Sequence, residues 1–207
     1  MGPFWSFYQV RVCWIEILFI FICSCFTLLL NLWHFIIGWQ EISELTLLLE
    51  STHPFNDKNK YSVLPLHSGI PSKEQRLVFQ RPRQGVRKIV LSTNIAETSV
   101  TIDDVAFVID SGRAKEKNYD PHLKTSTLQP MWISQASAKQ RRGRAGRTKA
   151  GVCFHLFSRR RHASFREFLE SELLRTSLEE ICLQCKKLNL TPGGPEDDDG
   201  IPAFLAA

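Results

Sequence analysis

Apolar and polar positions alternate along residues 33–157 in the way expected of strands separated by helices. Apolar runs predict strands at 33–38, 61–67, 87–93, 105–110 and 151–157, and periodic segments predict helices at 40–49, 72–80 and 137–145. Ser72 is predicted to cap the second helix. Residues 113–119 and 125–133 predict a β-hairpin that stands off the sheet. Strands that alternate with helices indicate an α/β fold with a parallel sheet.

The N-terminal apolar run has more than one interpretation. Residues 1–40 carry only two charged side chains, Arg11 and Glu16, and residues 17–37 carry none. A helix of roughly 20 apolar residues can cross a bilayer, so residues 14–37 are a candidate for membrane association. The end of the same run also predicts the first strand of the sheet. A third interpretation, which we favour, is that residues 1 to about 34 are foreign to the domain, as an alternative first exon would be.

Charge is distributed unevenly along the chain. The net charge is +5, but residues 72–166 hold 20 basic and 7 acidic side chains, a net of +13, and residues 121–166 hold 11 basic and no acidic ones. The C-terminus turns acidic at residues 196–199. A basic block of this size is typical of proteins that bind polyanions, although a solvated basic face is the simpler alternative.

The six cysteines do not resemble a disulfide framework, and this favours a reducing, intracellular compartment, either cytoplasm or nucleus. Cys182 and Cys185 have the spacing of a zinc or redox pair, but no second Cys or His pair accompanies them. Both fall on the apolar side of a predicted helix. We therefore expect core packing and no metal site.

In parallel α/β folds ligands bind beyond the carboxyl ends of the strands, here at the loops after Thr93, Asp110 and Ser134, and two polar motifs stand out near them. The stretch 92–103, STNIAETSVTID, offers hydroxyl and backbone N–H groups suited to phosphate oxygens. The stretch 140–147, QRRGRAGR, places four arginines within seven residues, and arginine binds phosphate with two parallel hydrogen bonds. An arginine run by itself could also be a localisation signal.

These stretches resemble motifs V and VI of the C-terminal RecA-like lobe of DEAH-type, RNA-helicase-A-like RNA helicases of superfamily 2. Residues 64–68, with Gln75 and Phe79, are similar to the motif IV region. The resemblance covers residues 38–190, and residues 173–180 are similar to the start of the winged-helix domain that follows. We therefore expect an apolar leader at 1–34, a RecA-like domain at 35–160, and a linker with an incomplete winged-helix start at 161–207.

The resemblance implies a site that binds ATP and RNA between two lobes. By this resemblance Arg144 and Arg147 are arginine fingers for the γ-phosphate, with Gln140 nearby. Phe79 is implied to stack on the adenine, and Asp103 to bind the ribose. The residues implied to contact the RNA backbone are Ser68, Thr93, Asn94 and Thr98. The hairpin would lie near the RNA exit and help to separate strands. Each residue type alone also has an ordinary structural explanation.

A complete helicase of this kind also needs a first lobe with a phosphate loop and an Asp-Glu pair that holds Mg²⁺. The 207 residues contain neither sequence. The resemblance therefore implies part of an ATP-dependent RNA helicase whose cofactor, ATP with Mg²⁺, binds only together with that first lobe, so that the isolated chain is inactive. The alternatives are a non-catalytic RNA-binding fragment and a protein tethered to a membrane through its N-terminus.

Overall fold

The computed structural model describes residues 31–97, 101–120, 122–148, 150–188 and 190. In these ranges a parallel sheet is formed by β1 (Asn31–Phe35), β2 (Tyr61–Leu66), β3 (Arg87–Ser92), β4 (Val105–Asp110) and β7 (Val152–His155), in the order β2-β3-β1-β4-β7. An antiparallel hairpin is formed by β5 (Arg113–Asp120) and β6 (Thr125–Trp132). The α-helices are α1 (Trp39–Ser51), α2 (Ser72–Gln75), α3 (Gln135–Arg142), α4 (Arg159–Ala163) and α5 (Leu178–Lys187).

The sheet is covered by apolar side chains on both faces, and this explains why its central strands are almost uniformly apolar. On β1, Leu32 and Ile36 belong to one core layer, which also contains the buried face of α1: Ile42, Leu45 and Leu49. The other face of β1 belongs to a second layer, formed by Trp33, Phe35, Leu66, Val78, Val90, Ala96, Ile102, Val105 and Val108. The α/β fold predicted from the sequence is confirmed.

The first strand begins at Asn31, not at residue 33 as predicted, and it ends at Phe35. Asn31 is polar, but its amide is satisfied: its Nδ2 donates to the Asp104 carboxylate at 2.9 Å, and its Oδ1 accepts from the Lys88 backbone N–H at 2.9 Å. The sheet therefore includes residues 31–34, which we expected to precede the domain.

The apolar run does not form a helix over its last residues, because β1 occupies 31–35 at the centre of the sheet. Residues 1–30 lie outside the described ranges, and with them most of the predicted membrane segment 14–37. Among the residues that the structure describes, no helix has the length and apolar character needed to cross a bilayer.

The helix predicted over 72–80 is wrong in its length and its cap. Only Ser72–Gln75 is α-helical, a 3₁₀ turn follows at Arg76–Phe79, and the N-cap position is Pro71, without a side-chain cap. Gln75 explains the geometry, because its Nε2 donates to the carbonyls of His67 at 3.2 Å and Ile70 at 2.7 Å. These bonds hold the segment against the loop after β2, and the tighter turn buries Val78.

Helix α3 begins and ends earlier than the predicted range of 137–145. Ser134 caps it, since its hydroxyl accepts a hydrogen bond from the Ser137 backbone N–H at 3.0 Å. The helix ends at Arg142, and Gly146 follows with a φ of 77°, a left-handed conformation that glycine adopts readily. The second half of the arginine motif is therefore a loop.

The predicted hairpin is confirmed, with Arg113 paired to Trp132 at its base and Asp120 paired to Thr125 at its tip. The Trp132 ring is held between the guanidinium of Arg113, 3.8 Å from the ring centroid, and that of Arg161, 5.1 Å from it. This cation–π contact joins the hairpin to α4.

Helix α5 contacts the hairpin through ion pairs. Lys117 lies 2.7 Å from Glu180 of α5, and Arg175, just before the helix, lies 3.4 Å from Glu116. Cys185 is buried and Cys182 is half-buried, and the described residues contain no group of three or more His, Cys, Asp or Glu side chains suited to a metal. That residues 173–180 begin a winged-helix domain stays a prediction.

Candidate nucleotide and RNA site

The motif that follows β3 lies at the carboxyl edge of the sheet. Ser92 is buried, and its hydroxyl accepts a hydrogen bond from Trp33 Nε1 at 2.7 Å. Thr93 is buried, and a 3₁₀ turn, Asn94–Ala96, leaves Asn94 exposed. Of the residues assigned to the RNA backbone, Thr93 and Asn94 thus lie side by side. Thr98 lies outside the described residues.

Arg141, the first arginine of the second motif, is fully buried and does not face solvent. Its Nε donates to Glu97 at 2.7 Å, its Nη1 donates to Asp110 at 2.8 Å, and its guanidinium lies 4.9 Å from the centroid of the Phe35 ring. This one side chain therefore joins α3 to the first motif and to the end of β4. An arginine buried between two carboxylates holds these segments in register.

Asp110 is held in its charged form by its neighbours. Burial raises the pKa of this carboxyl, but the hydrogen bond with His155, at 3.1 Å, and the charge of Arg141 outweigh burial, and the pKa lies below its usual value. The Gly112 backbone N–H also donates to Asp110, at 2.9 Å. The negative charge that holds Arg141 is therefore maintained at neutral pH.

A row of contacting side chains that resembles a nucleophilic triad is formed by Cys153, His155 and Asp110. Cys153 Sγ lies 3.8 Å from His155 Nε2, and the same ring contacts Asp110. However, burial and the nearby Asp110 charge raise the pKa of the Cys153 thiol to about 12. The thiolate needed for nucleophilic attack is disfavoured at neutral pH, so this row has a structural role.

Arg144 and Arg147 lie in the loop that follows α3, against the first motif. Arg144 is buried and donates through Nη2 to the backbone carbonyl of Glu97; its burial and the charge of Arg147 lower its pKa. Arg147 is exposed, and its Nη1 lies 3.4 Å from the Thr101 hydroxyl. The two arginines are thus placed by the same segment that carries Thr93 and Asn94.

Two further contacts shape this loop. Thr148 donates through its hydroxyl to the backbone carbonyl of Asp103 at 2.7 Å, so the end of the arginine loop lies beside Asp103, which is exposed. Gly151 lets the loop approach the sheet, because a Cβ at this position would lie 2.3 Å from Gly146 N and 2.7 Å from the Ala106 carbonyl oxygen. Gln140 lies exposed on α3, one residue before Arg141.

Phe79 and Asp103 come from separate segments and are linked by Lys88. The Lys88 side chain is 1% exposed, and its Nζ donates to the carbonyls of Val78 at 2.8 Å and Gln80 at 3.0 Å, the two neighbours of Phe79. The same Nζ lies 2.8 Å from the carboxylate of Asp104, the neighbour of Asp103. The Phe79 ring itself is 51% exposed and free to stack on a ligand.

Lys88 and Arg141 support the candidate site, and the sequence analysis assigned no role to either. Lys88 is a charged position inside an apolar strand, and such a position indicates a buried partner. Arg141 shares a helix face with the small residues Ser137 and Ala138, and that face is buried. Ser68 is exposed in the turn after β2, and its assignment to the RNA backbone stays a prediction.

The fold is that of a RecA-like lobe, and the comparisons with known proteins agree. The family model described as helicase conserved C-terminal domain matches residues 34–149, and the chain belongs to this family. Its resemblance to the C-terminal lobe of DEAH-type RNA helicases is thereby confirmed.

Relatives cover three quarters of the chain at high identity. The chain is 54% identical over 155 residues to the DExH-box ATP-dependent RNA helicase DExH2 of Arabidopsis thaliana, covering 75% of this chain and 10% of that protein. It is 49% identical over 156 residues to the ATP-dependent DNA/RNA helicase DHX36 of Homo sapiens, covering 75% of this chain and 15% of that protein. The chain therefore spans only a small part of the length of these relatives.

A solved structure shows the same fold. The crystal structure of the E. coli DExH-box NTPase HrpB superposes with a TM-score of 0.71 at 29% sequence identity, and the match covers 90% of this chain and 22% of that one. This likeness supports the RecA-like fold of the parallel sheet and its flanking helices.

Proposed function

We propose that this chain acts as the second RecA-like lobe of an ATP-dependent RNA helicase, to which it contributes arginine fingers and contacts to the RNA backbone. The observation that carries the proposal is the buried Arg141, which joins the two motifs through Glu97 and Asp110. Because this pairing fixes the start of the arginine loop, Arg144 and Arg147 are held against the motif assigned to RNA. A displacement of the motif assigned to RNA would therefore also displace the arginines assigned to ATP, and the reverse.

The residues at this site suit a nucleotide bound against a second lobe. Phe79 offers a half-exposed ring for a purine, and Asp103 offers an exposed carboxylate for ribose hydroxyls. Arg147 reaches solvent, and Arg144 is poised beside it to meet the γ-phosphate once the first lobe docks. Such arginines stabilise the charge that develops on the transferred phosphoryl group, and their loss costs about 10³–10⁵ in rate. Mg²⁺ would supply further charge neutralisation and would be held by the first lobe.

The RNA contacts in this proposal carry no base identity. Ser68 and Asn94 are exposed after their strands, and Thr93 is buried next to Asn94; hydroxyl and amide groups of this kind hydrogen-bond to phosphate and sugar oxygens. A helicase that moves along RNA of any sequence needs contacts of this kind. The hairpin lies next to this edge through Gly112, which follows β4, and we propose that it helps to separate strands.

A chimera provides the sharpest test. Residues 31–190, which include the whole of β1, would replace the matching segment of the ATP-dependent DNA/RNA helicase DHX36 of Homo sapiens, and RNA-stimulated ATP hydrolysis would be measured. We expect Arg144→Ala and Arg147→Ala each to lower kcat by about 10³-fold or more. Arg142→Ala is the matched control, because Arg142 is exposed on the same motif, and it should leave kcat within about twofold.

The outcomes separate cleanly. An active chimera in which Arg144→Ala and Arg147→Ala hydrolyse ATP as fast as Arg142→Ala would refute the finger assignment. The isolated 207-residue chain should show no turnover, because its sequence lacks a phosphate loop and an Asp-Glu pair. Hydrolysis by the pure chain that is lost on Arg144→Ala would refute the inactivity of the fragment.

A second candidate function is a non-catalytic RNA-binding fragment. The net charge of +13 over residues 72–166 favours it, since this charge does not depend on a second lobe. Such a fragment would compete with complete helicases for RNA without hydrolysing ATP. RNA binding by the chain, together with a folded DHX36 chimera that does not hydrolyse ATP, would favour this candidate over the first.

A further inference from the structure

An exposed aromatic pair lies at the carboxyl edge of the sheet, beside the residues assigned to the RNA backbone. Trp39 is the first residue of α1, directly after Gly38, and 46% of its surface is exposed. Its ring packs against His67, with the ring centroids 5.4 Å apart and the planes tilted by 36°. A large aromatic ring left half open to solvent at a ligand-binding edge has a free face for another ring.

The strand order places this pair across the end of β3. Trp39 follows β1 and His67 follows β2, and β3 lies between those two strands in the sheet. The pair therefore spans the carboxyl end of β3, from which Thr93 and Asn94 continue. Ser68 is the next residue after His67. The aromatic rings and the proposed backbone contacts thus share one edge.

Two contacts fix the surroundings of the pair. The His67 Nδ1 accepts a hydrogen bond from the Gly69 backbone N–H at 3.1 Å, and this orients the imidazole. The ammonium of Lys115 lies close to Gly38, because a Cβ added to Gly38 would be 2.6 Å from Lys115 Nζ. Lys115 also lies 3.7 Å from Glu41. A cation from the hairpin is therefore held beside the Trp39 backbone.

We propose that Trp39 and His67 form a stacking site for one nucleobase of single-stranded RNA, with Lys115 placed to meet an adjacent phosphate. The proposal rests on the RNA-binding role proposed above and adds to it a contact with a base. Aromatic side chains bind bases of any identity through their π-faces, so the site would hold the strand in place without selecting a sequence. It complements backbone contacts, which position the strand and do not contact the bases.

The test uses the full 207-residue chain and two fluorescein-labelled probes of about 8 nucleotides, a length within the usual range for single-strand sites. One probe is oligouridylate RNA, and the other is an abasic strand with the same ribose-phosphate backbone. Anisotropy titrations at low salt would give Kd for each probe. Circular dichroism would establish that each variant keeps the fold, which we expect because Trp39 is half exposed.

For Trp39→Ala we expect Kd for oligouridylate to rise about fivefold or more, corresponding to ~1 kcal/mol, with no change for the abasic strand. Trp39→Phe should restore most of the affinity. Leu47→Ala is the matched control: Leu47 is a 68% exposed apolar residue on the same helix, and its loss should change neither Kd.

Two results would overturn the proposal in distinguishable ways. If wild-type chain binds both probes and Trp39→Ala weakens both equally or neither, the stacking site is refuted while the backbone contacts remain. If wild-type chain binds neither probe, the stacking site and the RNA-binding part of the proposed function both fail. As a second readout, an RNA carrying 5-iodouracil should photocrosslink to Trp39 or His67, and crosslinks confined to other residues would contradict the assignment.

Discussion

At the scale of single residues, His34 conflicts with its surroundings. It lies on β1 in the middle of the sheet, 8% exposed, and neither ring nitrogen has a hydrogen-bond partner among the described residues. Burial lowers its pKa from 6.5 to about 4; the charge of Asp110 opposes this shift, and that of Arg141 adds to it. A neutral imidazole without partners costs free energy that an apolar side chain of similar size would not.

This conflict predicts a pH dependence of stability. In the unfolded chain His34 binds a proton as the pH falls below about 6.5, whereas in the folded chain it binds one only near pH 4. The unfolded state therefore binds more protons between these values, so the free energy of unfolding falls as the pH is lowered from about 6.5 to 4, by up to about 3 kcal/mol. Urea unfolding at several pH values measures this loss.

His34→Val is the corresponding variant. It removes both unpaired nitrogens and the proton uptake, so it should be more stable than wild type at pH 7 by about 1 kcal/mol and should lose less stability down to pH 4. His122→Val is a control, because His122 is exposed near the hairpin tip. A steep loss below pH 6.5 that persists in His34→Val would contradict this account.

At the scale of elements, Lys88 links β3 to the two segments that carry the residues proposed to bind the nucleotide. It belongs to β3, its ammonium donates to carbonyls on both sides of Phe79, and it pairs with Asp104 in the loop before β4. Replacing it with methionine keeps the length of the side chain but removes all three polar contacts. The turn around Phe79 and the loop around Asp103 would then lose their common support.

We therefore expect Lys88→Met to lower the free energy of unfolding by about 3 kcal/mol, as when one partner of a buried ion pair is lost. In the DHX36 chimera it should raise the KM for ATP several-fold with a smaller change in kcat, because Phe79 and Asp103 are proposed to bind the base and ribose. Lys73→Met, at an exposed position in α2, is the matched control. An unchanged KM for ATP in a folded Lys88→Met chimera would show that Lys88 supports only the fold.

The same elements show what the sequence could and could not predict. The strand at Val105–Asp110 was predicted with its observed bounds, because a strand buried on both faces is uniformly apolar and ends in a polar residue. The first strand was misplaced because apolar residues 36 and 37 extend the run beyond it, while polar Asn31 is accepted at its start through Asp104. Local pattern does not reveal a partner 73 residues away.

The candidate site was likewise predictable from the sequence only in part. Phe79, Asp103, Arg144 and Arg147 were assigned to the nucleotide through the resemblance of their motifs, and these roles stay predictions. The residues that hold these side chains in place were not identified, because their partners are distant in sequence: Arg141 is 31 residues from Asp110 and 44 from Glu97. The contact between Trp39 and His67 could not be predicted for the same reason, because it depends on the strand order β2-β3-β1.

At the scale of the whole molecule, the charge distribution is a property that does not depend on a second lobe. The basic residues of 72–166 outnumber the acidic ones by 13, although several are already paired within the fold, among them Lys88, Lys117 and Arg141. Others, among them Arg142, Arg147, Arg159 and Arg160, are exposed. This charge should therefore attract an RNA strand even when ATP is absent.

We expect the 207-residue chain to bind single-stranded RNA with an affinity that falls steeply with salt. Each neutralised phosphate on a single strand contributes a slope of about −0.7 to a plot of log K against log salt concentration, so about three phosphates would give a slope near −2. Titrations with oligouridylate and oligoadenylate should give similar slopes, because phosphate contacts do not distinguish bases. A slope near zero would contradict both candidate functions, since each requires the chain to contact the RNA backbone through its basic side chains.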